Sequence, residues 1–311
     1  MSGPLRLAAR LAAALLVLAA APVAQGYVRT TTGPGGPGLF WPPHGLTYQI
    51  NVGAYAFAPG CTSAGAVADL TRASFPAWMN ARRAGQASAC TDFKFADGGD
   101  TTVTKLGNDG VNLVVFRKGL CSAITTDPLC AATATEAQTN TCIQTHNCWS
   151  HGDGSIIALT TATFKVSSGE LVDTDMELHG WNGDVSAAAT GWYFTCGGPG
   201  VGICANPPYG SGNCNWMDVG NTVTHEAGHM LGLDHVCTVQ GNPDCHPEAV
   251  MAPNAMAGET SKRRLAPDDV DGVCSIYPPA QPGGGGCSTG GAGGFSLLAL
   301  AAALWRRRLR R

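Results

Sequence analysis

Charge is scarce in this chain. Only 13% of its 311 residues are Asp, Glu, Lys or Arg, and the formal net charge is −3. Much of the positive charge sits in Arg306-Arg307-Arg308-Leu309-Arg310-Arg311, so the body is more acidic than the total implies. This balance gives no hint of a nucleic-acid partner, and none is expected. Long apolar runs are also lacking. The two that occur, residues 11–21 and 295–305, fall short of the ~20 residues a helix needs to cross a bilayer. C-x-x-C pairs are absent, which argues against a cysteine-built structural zinc site.

What is present points to export. Arg6 and Arg10 precede the first apolar run, and Ala24-Gln25-Gly26 offers small residues where a signal peptidase reads, so residues 1–26 are expected to be removed after Gly26. Twelve cysteines fall in the presumed mature domain: Cys61, Cys90, Cys121, Cys130, Cys142, Cys148, Cys196, Cys204, Cys214, Cys237, Cys245 and Cys274. An even number in an exported chain is consistent with up to six disulfides, and Cys237 with Cys245 is the pairing expected from their shared short excursion.

The chemistry concentrates in Thr224-His225-Glu226-Ala227-Gly228-His229-Met230-Leu231-Gly232-Leu233-Asp234-His235. Residues four apart on a helix share a face, so His225 and His229 can close on one metal ion from adjacent turns, with Glu226 beside it. Gly232 lets the helix stop in a left-handed residue, and the chain can then return His235 as a third nitrogen. Three protein ligands leave a fourth position open, the layout of a catalytic zinc site. Asp218 is the expected N-cap of this helix.

The motif resembles that of the metzincin metalloproteases, and its flanks, Asn221-Thr222-Val223-Thr224 and Leu231-Gly232-Leu233, are most similar to the matrixin branch. The resemblance implies a methionine turn beneath the metal. Ala249-Val250-Met251-Ala252-Pro253 fits it with Met251, and Met256 is the alternative. Residues 265–277 resemble the closing matrixin helix, with Pro267 at its first position and carboxylates in its first turn. The implied fold is α+β and metzincin-like: a twisted mixed sheet, a long helix, an active-site helix, a small C-terminal subdomain and many disulfides. His151-Gly152-Asp153 looks like part of the matrixin structural-zinc loop, but the other histidines of that set are missing and His179 is displaced. A turn with a satisfied histidine is expected there, not a second zinc. Matrixins also carry an inhibitory propeptide, and no such segment is expected between the signal and the domain.

Along the chain, residues 27–45 are rich in Gly and Pro and read as an extended lead-in to a catalytic domain at 46–279. Alternation predicts strands at 46–52, 93–95, 111–116, 155–164 and 170–178, with a turn at Ser168-Gly169. A helix capped by Thr62 or Ser63 is expected between the first two, with Ala66, Leu70, Phe75 and Trp78 as its apolar stripe and a break near Pro76. Residues 121–148 read as disulfide-pinned loop, and 180–216 as a long loop bordering the cleft. Asp173, Asp175 and Glu177 share one strand face. They could hold Ca2+, as many matrixins do, but a solvated acidic face is the favoured reading.

Residues 280–311 combine a Pro/Gly linker, Cys287-Ser288-Thr289-Gly290, an apolar run and terminal arginines. This resembles the C-terminal sorting tails of myxobacterial surface proteins, which implies processing at Cys287 and contact with membrane or sorting machinery. A plain anchor held by the arginines is the alternative. The function expected is that of a secreted or surface-attached monomer, a zinc endopeptidase acting on an extended polypeptide, with His225, His229 and His235 as ligands and Glu226 as general base. A zinc-containing surface adhesion module and a zinc hydrolase of small substrates are the competing readings.

Overall fold

The computed structural model describes residues 26–53, 61–151, 156–179, 193–197, 216–237, 246–256 and 258–280. The expected signal segment, most of 180–216, Cys245 and the tail with Cys287 lie outside them. In chain order the elements that position the site are β1 (Val28–Arg29), β2 (Gly45–Asn51), α1 (Ala64–Ser74), α2 (Pro76–Met79), β3 (Lys94–Asp100), β4 (Asn112–Phe116), β5 (Lys118–Leu120), α3 (Glu136–His146), β6 (Cys148–Trp149), β7 (Ala158–Phe164), β8 (Leu171–Leu178), β9 (Tyr193–Thr195), β10 (Trp216–Asp218), α4 (Val219–Met230), β11 (Leu233–Asp234) and α5 (Pro267–Ile276).

The main sheet has five strands in the order β3-β2-β4-β8-β7. All pair in parallel except β7, which runs antiparallel to β8 and forms one edge. Central β4 is buried along its whole length, as a strand covered on both faces must be. Leu46, Tyr48 and Ile50 of β2 point into the core, where Tyr48 stacks on Phe75 with ring centroids 4.1 Å apart.

Helix α1 starts as expected at Ser63, whose Oγ accepts the Ala66 N–H at 3.0 Å. Its buried face differs from the expected stripe. Val67, Ala68, Thr71 and Ser74 are covered, while Ala66 and Leu70 lie at the margin. Pro76 restarts the helix as α2, so positions before and after it do not share one stripe. The buried face packs on α4, where small residues allow close approach: Ser74 Oγ reaches the Gly220 carbonyl at 3.4 Å, and Trp78 Nε1 donates to the Thr224 carbonyl at 2.8 Å.

Residues 121–148 are not loop throughout. Disulfides Cys121–Cys148 and Cys130–Cys142 do pin the region, but between them lies α3. Its core-facing residues are only Cys142 and Ile143, so it shows no apolar periodicity in the sequence. The signal that could have found it is a capping box, with Thr135 N–H donating to Gln138 Oε1 at 2.9 Å. Two further disulfides, Cys61–Cys196 and Cys90–Cys274, tie the start of α1 to the 193–197 segment and the approach to β3 to α5. Cys237 is disulfide-bonded, and with Cys245 undescribed the expected pairing stays an expectation.

The acidic face of β8 is buried, not solvated: Asp173, Asp175 and Glu177 are each at most 2% exposed. Asp175 accepts the N–H groups of Gly107 and Leu113 at 2.8 and 3.0 Å, and Asp173 accepts that of Gly110 at 2.9 Å. These carboxylates fold the 107–113 turn onto the sheet, and the buried Leu113 N–H would be unpaired without Asp175. Burial pushes Asp175 up to about 7 against the pull of its two N–H donors. Its unfolded value is about 3.9, so the folded state holds the proton more tightly across that window. Stability from this group is greatest below about pH 4 and declines as pH rises toward 7. In Asp175→Asn, denaturant unfolding is expected to lose this decline, at the cost of one N–H left facing an amide.

Candidate active site

Asp218 opens α4 as predicted, its buried carboxylate accepting the Asn221 N–H at 2.7 Å while Arg263 Nε donates to the same oxygen at 2.7 Å. The far end is where the lead-in matters. A helix leaves its last carbonyls without intrahelical donors. Here Trp41 Nε1 donates to the Met230 carbonyl at 2.8 Å, Tyr277 Oη to that of Leu231 at 2.8 Å, and Thr30 N–H to that of Gly232 at 2.9 Å. Residues 27–45 are therefore part of the site's framework, with β1 pairing antiparallel to β11. Gly232 adopts φ 89°, and a Cβ there would meet the Leu39 carbonyl oxygen at 2.7 Å, so both conformation and space require glycine.

The turn at Gly232 returns His235 to the helix. His235 Nε2 lies 3.1 Å from the Nε2 atoms of both His225 and His229. The other ring nitrogens are committed: His225 Nδ1 bonds the Val250 carbonyl at 2.5 Å and His229 Nδ1 that of Leu233 at 2.9 Å. A carbonyl only accepts, so both Nδ1 atoms carry the proton and both Nε2 atoms present lone pairs. Burial holds all three imidazoles below their ordinary range, His235 down to about 4, so they are neutral at pH 7. Ring nitrogens converging at 3.1 Å fit a shared cation: tetrahedral zinc with Zn–N of about 2.0–2.1 Å places its ligands about 3.3 Å apart. The carbonyl bonds at Nδ1 are the outer contacts that fix such ligands in tautomer and orientation.

Glu226 is 5% exposed and lines the same cavity as the three histidines. Its Oε2 accepts from Thr160 Oγ1 of β7 at 2.7 Å. Burial pushes the carboxyl up to about 7, opposed by that hydrogen bond and by the charge of Lys262. The cavity, about 630 Å3, runs between β7, α4 and residues 253–255.

Met251 is buried beneath the helix, whereas Met256, the alternative, is 68% exposed. A Cβ at Gly228 would meet Met251 Sδ at 2.2 Å, which explains the glycine between Ala227 and His229. The turn that carries Met251 is held from α5, where the two oxygens of Asp269 accept the N–H groups of Val250, Met251 and Ala266 at 2.8, 3.1 and 2.8 Å. His151 is satisfied by Glu177 Oε1 at 2.8 Å. His179 stacks on Trp149 with ring centroids 4.9 Å apart. Sequence reasoning missed Thr160, Gly228, Lys262 and the turn-holding role of Asp269. Only Asp269 had left a signal, as a carboxylate in the first turn of the closing helix.

Among the described residues, no helix is long and apolar enough to cross a membrane. Matrix metalloproteinase-16 of Rattus norvegicus, Homo sapiens and Mus musculus is in each case 35% identical over 88 residues, covering 26% of this chain and 13% of the relative. The chain thus spans a small part of those relatives' length. Residues 135–278 match the family described as Matrixin, a zinc-dependent peptidase family, and this stretch, which holds the three histidines, Glu226 and Met251, is matrixin-like.

Proposed function

We propose that this chain is an exported zinc endopeptidase in which His225, His229 and His235 hold the metal and Glu226 moves the proton. One observation carries the reading: three imidazoles bring their Nε2 atoms to a common point, and a buried carboxylate lies beside them in the same cavity. Zinc bound there supplies Lewis-acid chemistry, polarising a carbonyl oxygen and making water ionisable near about pH 7. Glu226 takes the proton of the attacking water and later delivers it to the leaving amine nitrogen. Thr160 orients that carboxylate by donating to Oε2. Met251 packs against α4 at Gly228 and keeps the ligand-bearing helix seated.

Strand β7 is an edge of the sheet and lies against α4, so an extended polypeptide could add to it as an antiparallel strand. Because Thr160 is on that strand, the element that would receive the substrate also orients the base. Four described disulfides are in keeping with an exported protein, and Cys287 is proposed as the point where the tail is processed at the cell surface. The test is cleavage of casein by the oxidised protein, with and without a zinc chelator. Cleavage that chelation abolishes and added zinc restores is the expected result. Bound zinc with no cleavage of casein or of a peptide library would favour the adhesion-module reading instead.

A further inference from the structure

The zinc chemistry leaves two polar side chains of the cavity unexplained. The wall is otherwise largely apolar, with Leu39, Ile157, Ala158 and Met217 among its lining residues. Thr222 lines it from α4, three residues before His225, and its buried Oγ1 has no hydrogen-bond partner. Lys262 lines it from the approach to α5 and is 3% exposed. Its backbone N–H is fixed to Asn221 Oδ1 at 2.8 Å. Its ammonium donates to the carbonyls of Ala252 and Asn254, the latter at 2.8 Å, which accounts for two of its three protons.

The neighbouring carboxylates do not pair with this ammonium. Asp269 gives both oxygens to backbone N–H groups, Glu226 accepts from Thr160, and Glu259 accepts from Ser261 and Met256. A buried ammonium with a spare N–H and an orphaned hydroxyl in an apolar wall are each costly until a partner arrives. An apolar side chain entering the cavity would seal both away from water unsatisfied. A carboxylate would bring acceptors to the wall that holds both donors, and its methylene groups would meet the apolar part of that wall.

We propose that Lys262 and Thr222 make this cavity selective for an acidic substrate side chain, glutamate or aspartate, next to the scissile bond. The inference rests on the peptidase reading of the cleft and adds the class of sequence it cuts. The test uses the full oxidised chain, loaded with zinc, and a peptide library randomised on both sides of one cleavable bond. Glu and Asp are expected to be enriched about 10- to 100-fold over Leu at one position adjacent to the cleaved bond, the range for a charge-assisted buried hydrogen bond. Lys262→Met should shift that position toward Leu and Met, while Lys262→Arg should keep the acidic preference.

Because Lys262 also holds the Ala252 and Asn254 carbonyls, Thr222→Val is the gentler second variant, expected to weaken the preference several-fold. Chelator-sensitive cleavage without acidic preference overturns the inference and leaves the peptidase reading standing. If no cleavage occurs, the peptidase reading fails, and calorimetry on the metal-stripped full chain decides the inference by itself. Blocked peptides differing only in Glu, Gln or Leu should then bind tightest with Glu, by about tenfold and dependent on Lys262. Equal affinities would overturn it.

Discussion

Glu226→Gln is expected to lower kcat/KM for peptide hydrolysis by about 10²- to 10⁴-fold, the usual contribution of a positioned general base. The substitution keeps the shape of the side chain and an oxygen that can accept from Thr160 Oγ1, now at 2.7 Å from Oε2. It removes the capacity to take a proton, together with the negative charge. Zinc content should be unchanged, because the imidazoles are oriented by the carbonyls of Val250 and Leu233 and not by Glu226. Paired metal analysis and steady-state kinetics on the same preparation check both halves. A variant that hydrolyses within a few-fold of the parent would remove Glu226 from the mechanism, and one that loses zinc would make its role structural.

The second large effect lies away from the cleft. Arg117 is fully buried, with Nε on Glu177 Oε2 at 2.6 Å and Nη1 on the Thr104 carbonyl and Asn147 Oδ1 at 2.7 and 2.8 Å. Arg117→Met is expected to cost about 3–5 kcal/mol in denaturant unfolding, because it leaves the Glu177 charge buried with His151 alone. Adding Glu177→Leu should recover much of the loss, since an apolar pair of similar volume replaces two desolvated charges. Burial works against ionisation of Glu177, yet the His151 hydrogen bond and the Arg117 charge hold its pKa below the ordinary value. Its stabilisation is therefore present above the unfolded value of about 4.3 and lost on acidification through the folded value. A double substitution no more stable than Arg117→Met alone would show that the ion pair is not the reason for the loss.

The histidine-bearing stretch was legible in the sequence because its geometry is local. His225 and His229 are one helical turn apart, Gly232 needs a positive φ, and Asp218 caps the helix it begins, so short-range spacing carries nearly all the geometry. Sheet strands with alternating or continuous apolar residues were legible for the same reason. What was hidden depends on contacts across long sequence separations. Thr160 meets Glu226 over 66 residues, and Trp41 reaches the end of α4 over 189. Asp173 and Asp175 looked like a solvated face because alternation says which residues share a side, and not whether a turn such as 107–113 folds over it. Helix α3 escaped because two disulfides stand in for the apolar stripe it lacks.

If His225, His229 and His235 together hold zinc, X-ray absorption at the zinc edge of the full oxidised chain reads their nitrogens. One zinc per chain is expected, with three imidazole nitrogens at about 2.0–2.1 Å and no sulfur bound to the metal. The competing donors are Cys121, Cys142 and Cys148, which also lie together but are engaged in disulfides. Sulfur scattering at about 2.3 Å, or failure to retain stoichiometric zinc, would rule out the three-histidine site.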